Sequence, residues 1–313
     1  MENRTWNVLI ALAVVLGLFA VVMFAFSRQI GALNFQVEQA TVGLRFLFVV
    51  LGVLIALVVY FFSRDNKAWV VGTREVVWMA IGAALFAVFS WVFNGTVFVV
   101  PSLSQVALRP AIAIPMFFGY AFGPVVGFFT GAVGNMFGDA LTGFGLSPQW
   151  SIGNGLIGFI SGLWMLFRDR KQSMNVVLWV GGILAVLTGV IFFLNQNLNN
   201  LNYYNPVTDT FGETRISLLA GVSILVGLLL VVAVRVFFGG NEDVAAAVTW
   251  GMLGNIVGLL FASISDIWIN GYSPVAAIVG EFLPAAGPNL IFAAILVPLL
   301  VLAYAAVRRQ SGR

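Results

Sequence analysis

A stretch of 58 residues, from Pro110 to Phe167, carries only one charged side chain, Asp139. Twelve of the 34 glycines in the chain lie between Gly119 and Gly162, inside this stretch. A soluble core could not cover so long an apolar run, and a simple lipid anchor would not need so many glycines. Small residues let membrane helices pack closely, and polar groups at membrane depth usually have a function. The stretch therefore predicts closely packed membrane helices around a few polar groups.

The rest of the chain is also apolar. It is 61% hydrophobic and 9% charged, with a mean hydropathy of +1.02. Since a membrane helix needs about 20 mostly apolar residues, we predict an all-α integral membrane protein with about ten transmembrane helices. They lie at residues 6–26, 45–62, 76–98, 106–122, 123–142, 150–167, 176–193, 216–238, 244–264 and 283–306. The short fourth and fifth helices meet at Gly123-Pro124, which predicts a tight turn between antiparallel helices.

The residue types that are missing exclude several kinds of chemistry. The sequence contains no cysteine and no histidine, which removes disulfides, thiolate nucleophiles and the usual ligand sets of zinc, haem and Fe–S sites. It also lacks a GxxxxGK[ST] motif with which to cradle the phosphates of ATP. We therefore expect no metal, no cofactor and no enzymatic activity. The net charge is only +3, and the basic residues lie in short loops, so they indicate topology rather than nucleic-acid binding.

The basic side chains predict how the chain crosses the membrane. With both termini in the cytoplasm, eleven Lys and Arg residues fall on the inner side and four on the outer side, as the positive-inside rule requires. The outer four are Arg28, Arg45, Arg109 and Arg215. An even number of helices is consistent with this arrangement. We predict a multi-pass protein of the cell membrane, embedded in the lipid bilayer, with both termini cytoplasmic.

Polar residues in or beside the predicted helices are the candidate binding residues. They are Arg109, Asn135, Asp139, Trp150, Asn154, Asp266, Asn270, Glu281 and Asn289. Asp266 and Asn270 are predicted to follow the ninth helix, and Glu281 to precede the tenth. A charge at membrane depth costs at least about 2–3 kcal/mol, so it usually pairs or faces water. Arg109 and Asp139 match in sign and depth, and they are expected to form a salt bridge, to contact a bound solute, or both.

Glycines beside asparagines predict close contacts between helices. Three such pairs each have a further glycine close behind them, and these pairs are Gly134-Asn135, Gly153-Asn154 and Gly254-Asn255. We interpret most of these glycines as packing positions. The neighbouring amides can form hydrogen bonds across the contact or to a ligand.

Small residues also form a face on the third predicted helix. Two pairs of alanines lie four residues apart there, namely Ala80 with Ala84 and Ala83 with Ala87. Such pairs give a flat groove for another helix. The partner helix belongs either to the same chain or to another subunit.

Three motifs follow one another between Arg109 and Trp164. They are RPAIAIP, then the turn and helix GPVVGFFTGAVGNMFGD, then the helix WSIGNGLIGFISG. Together with the alanine-rich third helix and the later segment FLPAAGPNLIFAAILVPLL, they resemble the substrate-binding S components of energy-coupling factor (ECF) transporters. The similarity is weaker over the third, ninth and tenth helices than over the three motifs.

The resemblance implies an architecture and a set of partners. S components have a six-helix core with cytoplasmic termini, and they bind a vitamin or related micronutrient near the outer face. The exterior loops would lie here at about residues 95–106, 143–150 and 265–282. An alanine face on the first core helix docks the transmembrane coupling subunit, a role that Ala80, Ala83, Ala84 and Ala87 would take. Partner ATPase subunits supply the energy.

Ten helices are more than such a core needs, so we divide the chain into four parts. Residues 1–70 would be a two-helix N-terminal extension, and 71–175 the first four core helices. Residues 176–240 would be an inserted hairpin with an Asn-rich exterior loop, Asn195 to Arg215, which is either an ordinary loop or a lid. Residues 241–313 would hold the last two core helices and a basic cytoplasmic tail.

The predicted function is solute capture for an ECF-type ABC importer, with Arg109 meeting an anionic group. Trp91, Trp150, Trp268 and Tyr272 either stack on an aromatic solute or form an interfacial aromatic belt. One alternative is a stand-alone secondary transporter or channel, whose hallmark would be an inverted repeat. A minor alternative is an intramembrane aspartyl hydrolase using Asp139 and Asp266. The GxGD signature of such enzymes is incomplete here, because Met136 replaces its first glycine.

Overall fold

The fold is a bundle of helices, which confirms the all-α prediction. The computed structural model describes residues 2–94, 99–100, 102–103, 106–143, 145–195, 203–205, 210–212 and 216–311. Its α-helices are α1 (Glu2–Ala20), α2 (Val42–Ser63), α3 (Thr73–Asn94), α4 (Ala113–Phe122), α5 (Pro124–Thr142), α6 (Pro148–Gly162), α7 (Arg170–Leu194), α8 (Leu218–Phe237), α9 (Glu242–Ile269), α10 (Pro274–Ala276) and α11 (Leu283–Gln310). A π-helical segment, Val21–Ala25, extends α1, and a second, Ala277–Phe282, joins α10 to α11 in one continuous helix.

Short hairpins and turns connect the helices. The antiparallel strand pairs are β1 (Gln29–Ile30) with β2 (Leu33–Asn34), β3 (Val99–Val100) with β4 (Val106–Ala107), and β5 (Tyr203–Asn205) with β6 (Thr210–Gly212). The 3-10 turns are Gln39–Thr41, Lys67–Trp69, Pro110–Ile112 and Leu163–Leu166. Most of the predicted exterior loop from Asn195 to Arg215, and parts of the predicted loops 95–106 and 143–150, lie outside the described residues.

Seven helices in the described part of the chain are long and apolar enough to cross a membrane. They are Arg4–Ala25, Gln39–Ser63, Thr73–Phe93, Arg170–Leu194, Leu218–Phe237, Glu242–Ile269 and Pro274–Gln310. The other three predicted spans correspond to α4, α5 and α6, which are helices of 10, 19 and 15 residues. Each predicted span therefore has a helical counterpart, with the glycine-rich helices the shorter ones.

Several helix ends differ from the prediction, and three of them lie near the polar residues of the candidate site. The predicted fourth span begins at residue 106, whereas α4 begins at Ala113, because Val106–Ala107 pairs with Val99–Val100 as a hairpin. The ninth helix continues to Ile269, five residues past its predicted end at 264. The tenth begins at Pro274 rather than at 283, because the π-helical segment continues it backwards. At this end of the bundle α9 and the last helix are therefore longer than hydropathy alone suggests, whereas α4 is shorter.

Local sequence signals account for several helix starts. The side chains of Asp169, Ser217 and Asn241 each accept a backbone hydrogen bond at the first turn of α7, α8 and α9, as N-cap residues do. The predicted tight turn between α4 and α5 is confirmed at Gly123, whose φ of 105° suits glycine. Pro124 follows as the first residue of α5, where its missing N–H costs no helical hydrogen bond.

The start of α1 and the end of α11 lie at the same end of the bundle. There Tyr60 donates a 2.9 Å hydrogen bond to Thr5, and the rings of Phe122 and Tyr304 are 5.5 Å apart. We call this the terminal end, and we call the other end, where α1 leads towards α2 and α9 towards α10, the opposite end. The prediction that the terminal end is cytoplasmic stays a prediction.

The centre of the bundle is formed by glycines that bring helix backbones into contact. A methyl group at Gly119 would lie 1.9 Å from the carbonyl oxygen of Gly158, and one at Gly127 would lie 2.2 Å from the same atom. Gly153 and Gly258 meet in the same way, since a methyl group at Gly258 would lie 2.4 Å from the carbonyl oxygen of Gly153. Close packing, predicted from the glycine spacing, is therefore confirmed between α4, α5, α6 and α9.

The remaining helices surround this centre. Helix α3 packs along α5, α11 packs along α9 and α8, α7 lies against α8 and α9, and α1 and α2 cover α5 and α6. Helix α9 is mostly buried, whereas α1, α2, α7 and α8 expose much of their length. The division into a core of α3–α6, α9 and α11, an extension and an insertion stays a proposal.

Candidate functional site

Two clusters of polar side chains lie at the opposite end of the bundle. The Arg109 cluster consists of Arg109, Asn135, Asp139 and Ser151, and the Asp266 cluster of Arg45, Gln149, Trp150 and Asp266. The first turn of α6 serves both clusters, because it carries Gln149, Trp150 and Ser151. Because these three residues are consecutive, the two clusters are neighbours at this turn.

The Arg109 cluster confirms the predicted pairing of Arg109 with Asp139. One guanidinium nitrogen of Arg109 lies 3.5 Å from Oδ1 of Asp139, and the other donates to Oδ1 of Asn135. Asn135 and Asp139 lie one turn apart on α5, and Nδ2 of Asn135 lies 2.7 Å from Oδ2 of Asp139. The same amide nitrogen lies 3.1 Å from Oγ of Ser151 on α6. Asn135 therefore supports the ion pair from both sides and ties it to α6.

Partial exposure leaves this ion pair within reach of a small molecule. The side chains of Arg109 and Asp139 are 18% and 14% exposed, whereas Asn135 and Ser151 are fully buried. Arg109 stands just before the 3-10 turn that leads into α4, so it approaches α5 from a connection rather than from a helix. The cluster thus combines a buried support with an accessible charged pair.

The Asp266 cluster joins three helices. Oδ1 of Asp266 accepts a 2.9 Å hydrogen bond from Gln149, and Oδ2 accepts one of 2.8 Å from the indole of Trp150. Nη1 of Arg45, on α2, donates to Oε1 of Gln149 over 3.1 Å. Both carboxylate oxygens of Asp266 are therefore bonded, which offsets the cost of burying this group at 1% exposure.

Two of the candidate residues are not where the sequence suggests. Asp266 does not follow the ninth helix but lies in its last turn, because the helix continues to Ile269 before Gly271 adopts a φ of 71°. Glu281 lies inside the continuous last helix rather than before it, because the π-helical segment includes it. Asn270 does follow α9 as its exposed C-cap residue, and it joins neither cluster.

Tyr272 lies close enough to both Glu281 and Asp266 for their charges to act on its phenol. Burial raises the pKa of the Tyr272 phenol above its ordinary value, and the nearby negative charges of Glu281 and Asp266 raise this pKa further. The phenol lies 3.5 Å from the carbonyl oxygen of Leu103, in the connection between α3 and α4. Glu281 itself is fully buried, and Asn289 is 5% exposed two turns further along the helix.

Asn154 lies one turn below Trp150 on α6. Its Nδ2 donates a 2.9 Å hydrogen bond to the Trp150 carbonyl, and its side chain is almost completely buried. Its Oδ1 has no hydrogen-bond partner within the described residues. A buried amide oxygen of this kind is a ready acceptor for a donor on a ligand or a water molecule.

Two members of the Asp266 cluster, Arg45 and Gln149, were not predicted as site residues. In the sequence Arg45 counts only as one of the outer basic residues, and Gln149 as a residue beside Trp150. One signal was present, because an arginine in the first turn of an otherwise apolar helix needs a partner if it is buried. Arg45 is indeed buried, with an exposure of 6%.

The four alanines of α3 lie on two different faces. Ala83 and Ala87 are buried against α5, where methyl groups at Gly134 and Gly138 would meet the backbones of these two alanines. Ala80 and Ala84 are exposed. A helix of another subunit therefore has direct access to Ala80 and Ala84 only, since α5 already covers the other pair.

The four aromatic candidates fall into an exposed pair and a pair whose polar atoms have partners inside the bundle. Trp91 and Trp268 are 48% and 59% exposed, and Trp268 packs on Phe48 of α2 at a distance of 5.9 Å between ring centroids. Their exposure is typical of an interfacial aromatic belt. Trp150 and Tyr272 instead point their polar atoms to partners inside the bundle. Among the described residues no group of acidic, His or Cys side chains is placed to hold a metal ion.

Comparison with known proteins covers about half of the chain. A family model described as "ECF-type riboflavin transporter, S component" matches residues 70–203. A UPF0397 protein of Vibrio atlanticus is 33% identical over 163 residues, which are 50% of this chain and 86% of that protein. A UPF0397 protein of Aliivibrio salmonicida is 29% identical over 161 residues, which are 50% of this chain and 85% of that protein. No solved structure matches.

The matched region includes one of the two clusters completely. Residues 70–203 contain Arg109, Asn135, Asp139 and Ser151, and also Gln149 and Trp150. Arg45 and Asp266 lie outside the match, on either side of it. The Asp266 cluster is therefore built partly from helices that the family model does not describe.

Proposed function

The chain belongs to the S-component family of ECF transporters, whose members are the substrate-binding membrane subunits, and we propose that it captures a vitamin-like solute at the opposite end of its bundle. The observation that carries this proposal is the meeting of the Arg109 and Asp266 clusters at the first turn of α6. Charged groups, amides and an indole from four helices converge there, although each is costly inside a membrane protein.

The side chains at this end suit a solute that has both a planar ring and polar substituents. Arg109 offers N–H donors to a carbonyl, carboxylate or phosphate oxygen, while Asp139 accepts hydrogen bonds from hydroxyl or amide groups. Trp150 and Tyr272 provide apolar ring surface beside these groups. Riboflavin has a planar ring with carbonyl and imide groups and a chain of hydroxyls, so it matches this chemistry. It is also the solute in the description of the matching family model, and we propose it as the first ligand to test.

Delivery of the solute would depend on partner subunits. ECF S components work with a transmembrane coupling subunit and ATPase subunits, and this sequence has no phosphate-binding loop of its own. We propose that the coupling subunit docks on Ala80 and Ala84, the exposed small residues of α3. Small residues let two membrane helices approach closely, which favours such a contact.

The proposed orientation puts the capture site outside the cell. Of the described basic residues, Arg28, Arg45 and Arg109 lie at or near the opposite end, and the others cluster at the terminal end. By the positive-inside rule the terminal end is then cytoplasmic. The solute would enter from the exterior, and the core of α3–α6, α9 and α11 would hold it.

Ligand identification tests the proposal directly. The chain would be purified in detergent, denatured, and its released small molecules identified by mass spectrometry; the ligand-free protein would then be titrated with riboflavin while flavin fluorescence is followed. We expect quenching that saturates at one riboflavin per chain. Uptake of the bound solute by cells that contain this chain but no ECF ATPase would contradict the proposed mechanism and favour a stand-alone transporter.

A further inference from the structure

Arg45 belongs to the N-terminal helices but faces the centre of the bundle. The buried residues of α2 are Arg45, Val49, Gly52, Val53, Ala56 and Tyr60, a spacing that marks one face of a helix. On this face Gly52 touches Ile152 of α6 so closely that a methyl group at Gly52 would lie 2.1 Å from the Ile152 side chain. The contact fixes the position of α2 along α6, and so it fixes where the Arg45 side chain arrives.

The guanidinium of Arg45 is held at three points. Nε donates to Oγ1 of Thr41 over 2.9 Å, Nη2 to Oε2 of Glu38 over 3.1 Å, and Nη1 to Oε1 of Gln149 over 3.1 Å. Glu38 is 59% exposed, and an exposed ion pair contributes little to stability. The contact with the buried Gln149 is therefore the one through which Arg45 affects the rest of the structure.

Arg45 and Asp266 hold the Gln149 amide between them and together determine which way it points. A guanidinium can only donate hydrogen bonds, so the Gln149 atom that faces it must be the carbonyl oxygen. The amide nitrogen then faces Asp266, where Nε2 lies 2.9 Å from Oδ1. With Arg45 removed, the buried carbonyl oxygen of Gln149 would lose its charged donor, and Asp266 alone would hold the amide, so the Gln149 side chain would be less firmly fixed.

The connection between α1 and α2 makes a second contact with the same region. The backbone N–H of Leu146 donates to the Gln36 carbonyl over 2.8 Å, and Nδ2 of Asn34 lies 2.8 Å from the Gly143 carbonyl oxygen. The rings of Phe35 and Phe137 meet edge to face at 5.9 Å. The N-terminal helices are thus bonded to the α5–α6 connection as well as to the first turn of α6.

We propose that Arg45 is a positioning residue of the solute site: by orienting Gln149 it holds Asp266 and Trp150 in place, which makes the N-terminal helices part of the site. This inference rests on the proposed function. Arg45 acts through Gln149 and need not touch the solute itself. A helix that only faced lipid would not be expected to bury an arginine against α6, because burying a charged side chain is costly.

The test compares Arg45→Met with Arg28→Met, an exposed arginine of the same N-terminal segment. Each variant would be placed in lipid nanodiscs with ¹⁵N-labelled tryptophan, and the indole signal of Trp150 would be assigned by its loss in Trp150→Phe. We expect Arg45→Met to shift the Trp150 signal and to speed riboflavin release about ten-fold, because the loss of one hydrogen bond to a charged group corresponds to about a factor of ten. Arg28→Met should do neither. Arg45→Lys keeps a charged donor, so it should give a smaller signal shift and a smaller increase in release rate than Arg45→Met.

A second variant keeps the test decisive if Arg45→Met does not fold. In Gln149→Asn the shortened side chain cannot reach both Arg45 and Asp266. This variant should therefore shift the Trp150 signal in the same way. Combined with Arg45→Met, it should add nothing, since both changes break one chain of contacts. A folded Arg45→Met or Gln149→Asn protein with an unchanged Trp150 signal would overturn the inference. Failure of the unaltered chain to bind riboflavin would instead contradict the choice of solute, and the indole signal would still decide the role of Arg45.

Discussion

Asn135 on α5 and Ser151 on α6 are joined by a 3.1 Å hydrogen bond, and this bond ties the Arg109 cluster to the turn of α6 that also carries Gln149 and Trp150 of the Asp266 cluster. The amide nitrogen of Asn135 also bonds to Asp139, so a single side chain supports the ion pair and contacts α6. A substitution in one cluster is therefore expected to alter the side-chain positions in the other, because the first turn of α6 connects them.

Substitution of Arg109 separates its structural role from solute binding. Arg109→Met leaves a largely buried Asp139 without its counter-charge, and it should lower the free energy of unfolding by about 3 kcal/mol. The double variant Arg109→Met/Asp139→Leu removes both charges and should regain part of that loss. If the ion pair contacts the solute, binding measured by fluorescence titration stays weak in the double variant. Recovery of binding together with stability would assign Arg109 and Asp139 to helix packing alone.

The glycine contact between α5 and α6 can be tested with one methyl group. In Gly158→Ala the new methyl would lie 2.2 Å from the carbonyl oxygen of Gly127, and neither backbone can move aside without separating the helices. We expect a loss of about 1–3 kcal/mol, visible as a lower midpoint of thermal unfolding. Gly17→Ala is the matched control, because nothing lies within 4 Å of that position on α1. An equal effect of both substitutions would mean that the close contact is not what matters.

The two faces of α3 should respond differently to larger side chains. Ala80→Leu and Ala84→Leu enlarge exposed positions, so they should reduce association with the coupling subunit in a pull-down while solute binding and thermal stability stay unchanged. Ala83→Leu enlarges a position buried against Gly134, and it should lower stability before any partner is added. Normal association of the Ala80→Leu/Ala84→Leu protein would move the docking surface elsewhere.

The indole N–H of Trp150 is expected to matter more than its ring. Trp150→Phe keeps an aromatic ring but removes the donor that bonds to Asp266 over 2.8 Å. Riboflavin affinity should fall about ten-fold or more, in line with a lost hydrogen bond to a charged group of about 1.5 kcal/mol or more. Trp268→Phe, at an exposed position of α9, should leave the affinity unchanged. Equal affinities for both variants would place Trp150 outside the solute site.

The absence of cysteine makes the orientation of the chain easy to measure. Gln29→Cys introduces one thiol at the opposite end, and Gly240→Cys introduces one at the terminal end, both at exposed positions. In intact cells a membrane-impermeant maleimide should label the first variant, and it should label the second only after lysis. The reverse pattern would show that the site faces the cytoplasm.

Much of the helical framework could be predicted because it depends on local sequence. The apolar runs, the turn at Gly123 and the close glycine contacts all follow from the length and spacing of residues near one another in the chain. The Arg109–Asp139 pair could also be predicted, since a bilayer leaves two such charges few other partners. These features need no knowledge of how distant helices are rotated.

The details that were missed depend on helix rotation. Helix α2 is apolar on nearly every side, so its sequence does not show that Arg45 faces Gln149, 104 residues away. The same ambiguity hid the difference between Ala83, which is covered by α5, and Ala84, which is exposed. A helix in lipid lacks the polar outer face that reveals orientation in a soluble protein. Only the packed structure resolves which side is inward.

The backbone contacts of Gly119 and Gly127 with Gly158 have a mechanical consequence. Where two helices touch through glycines, there are no side-chain rotamers to rearrange, so the helices have no alternative fit at that separation. We expect α4, α5 and α6 to move as one rigid body whenever the protein changes shape. Any opening that admits or releases a solute must then come from the connections at the end of the bundle, or from α3 and α11 shifting against this body.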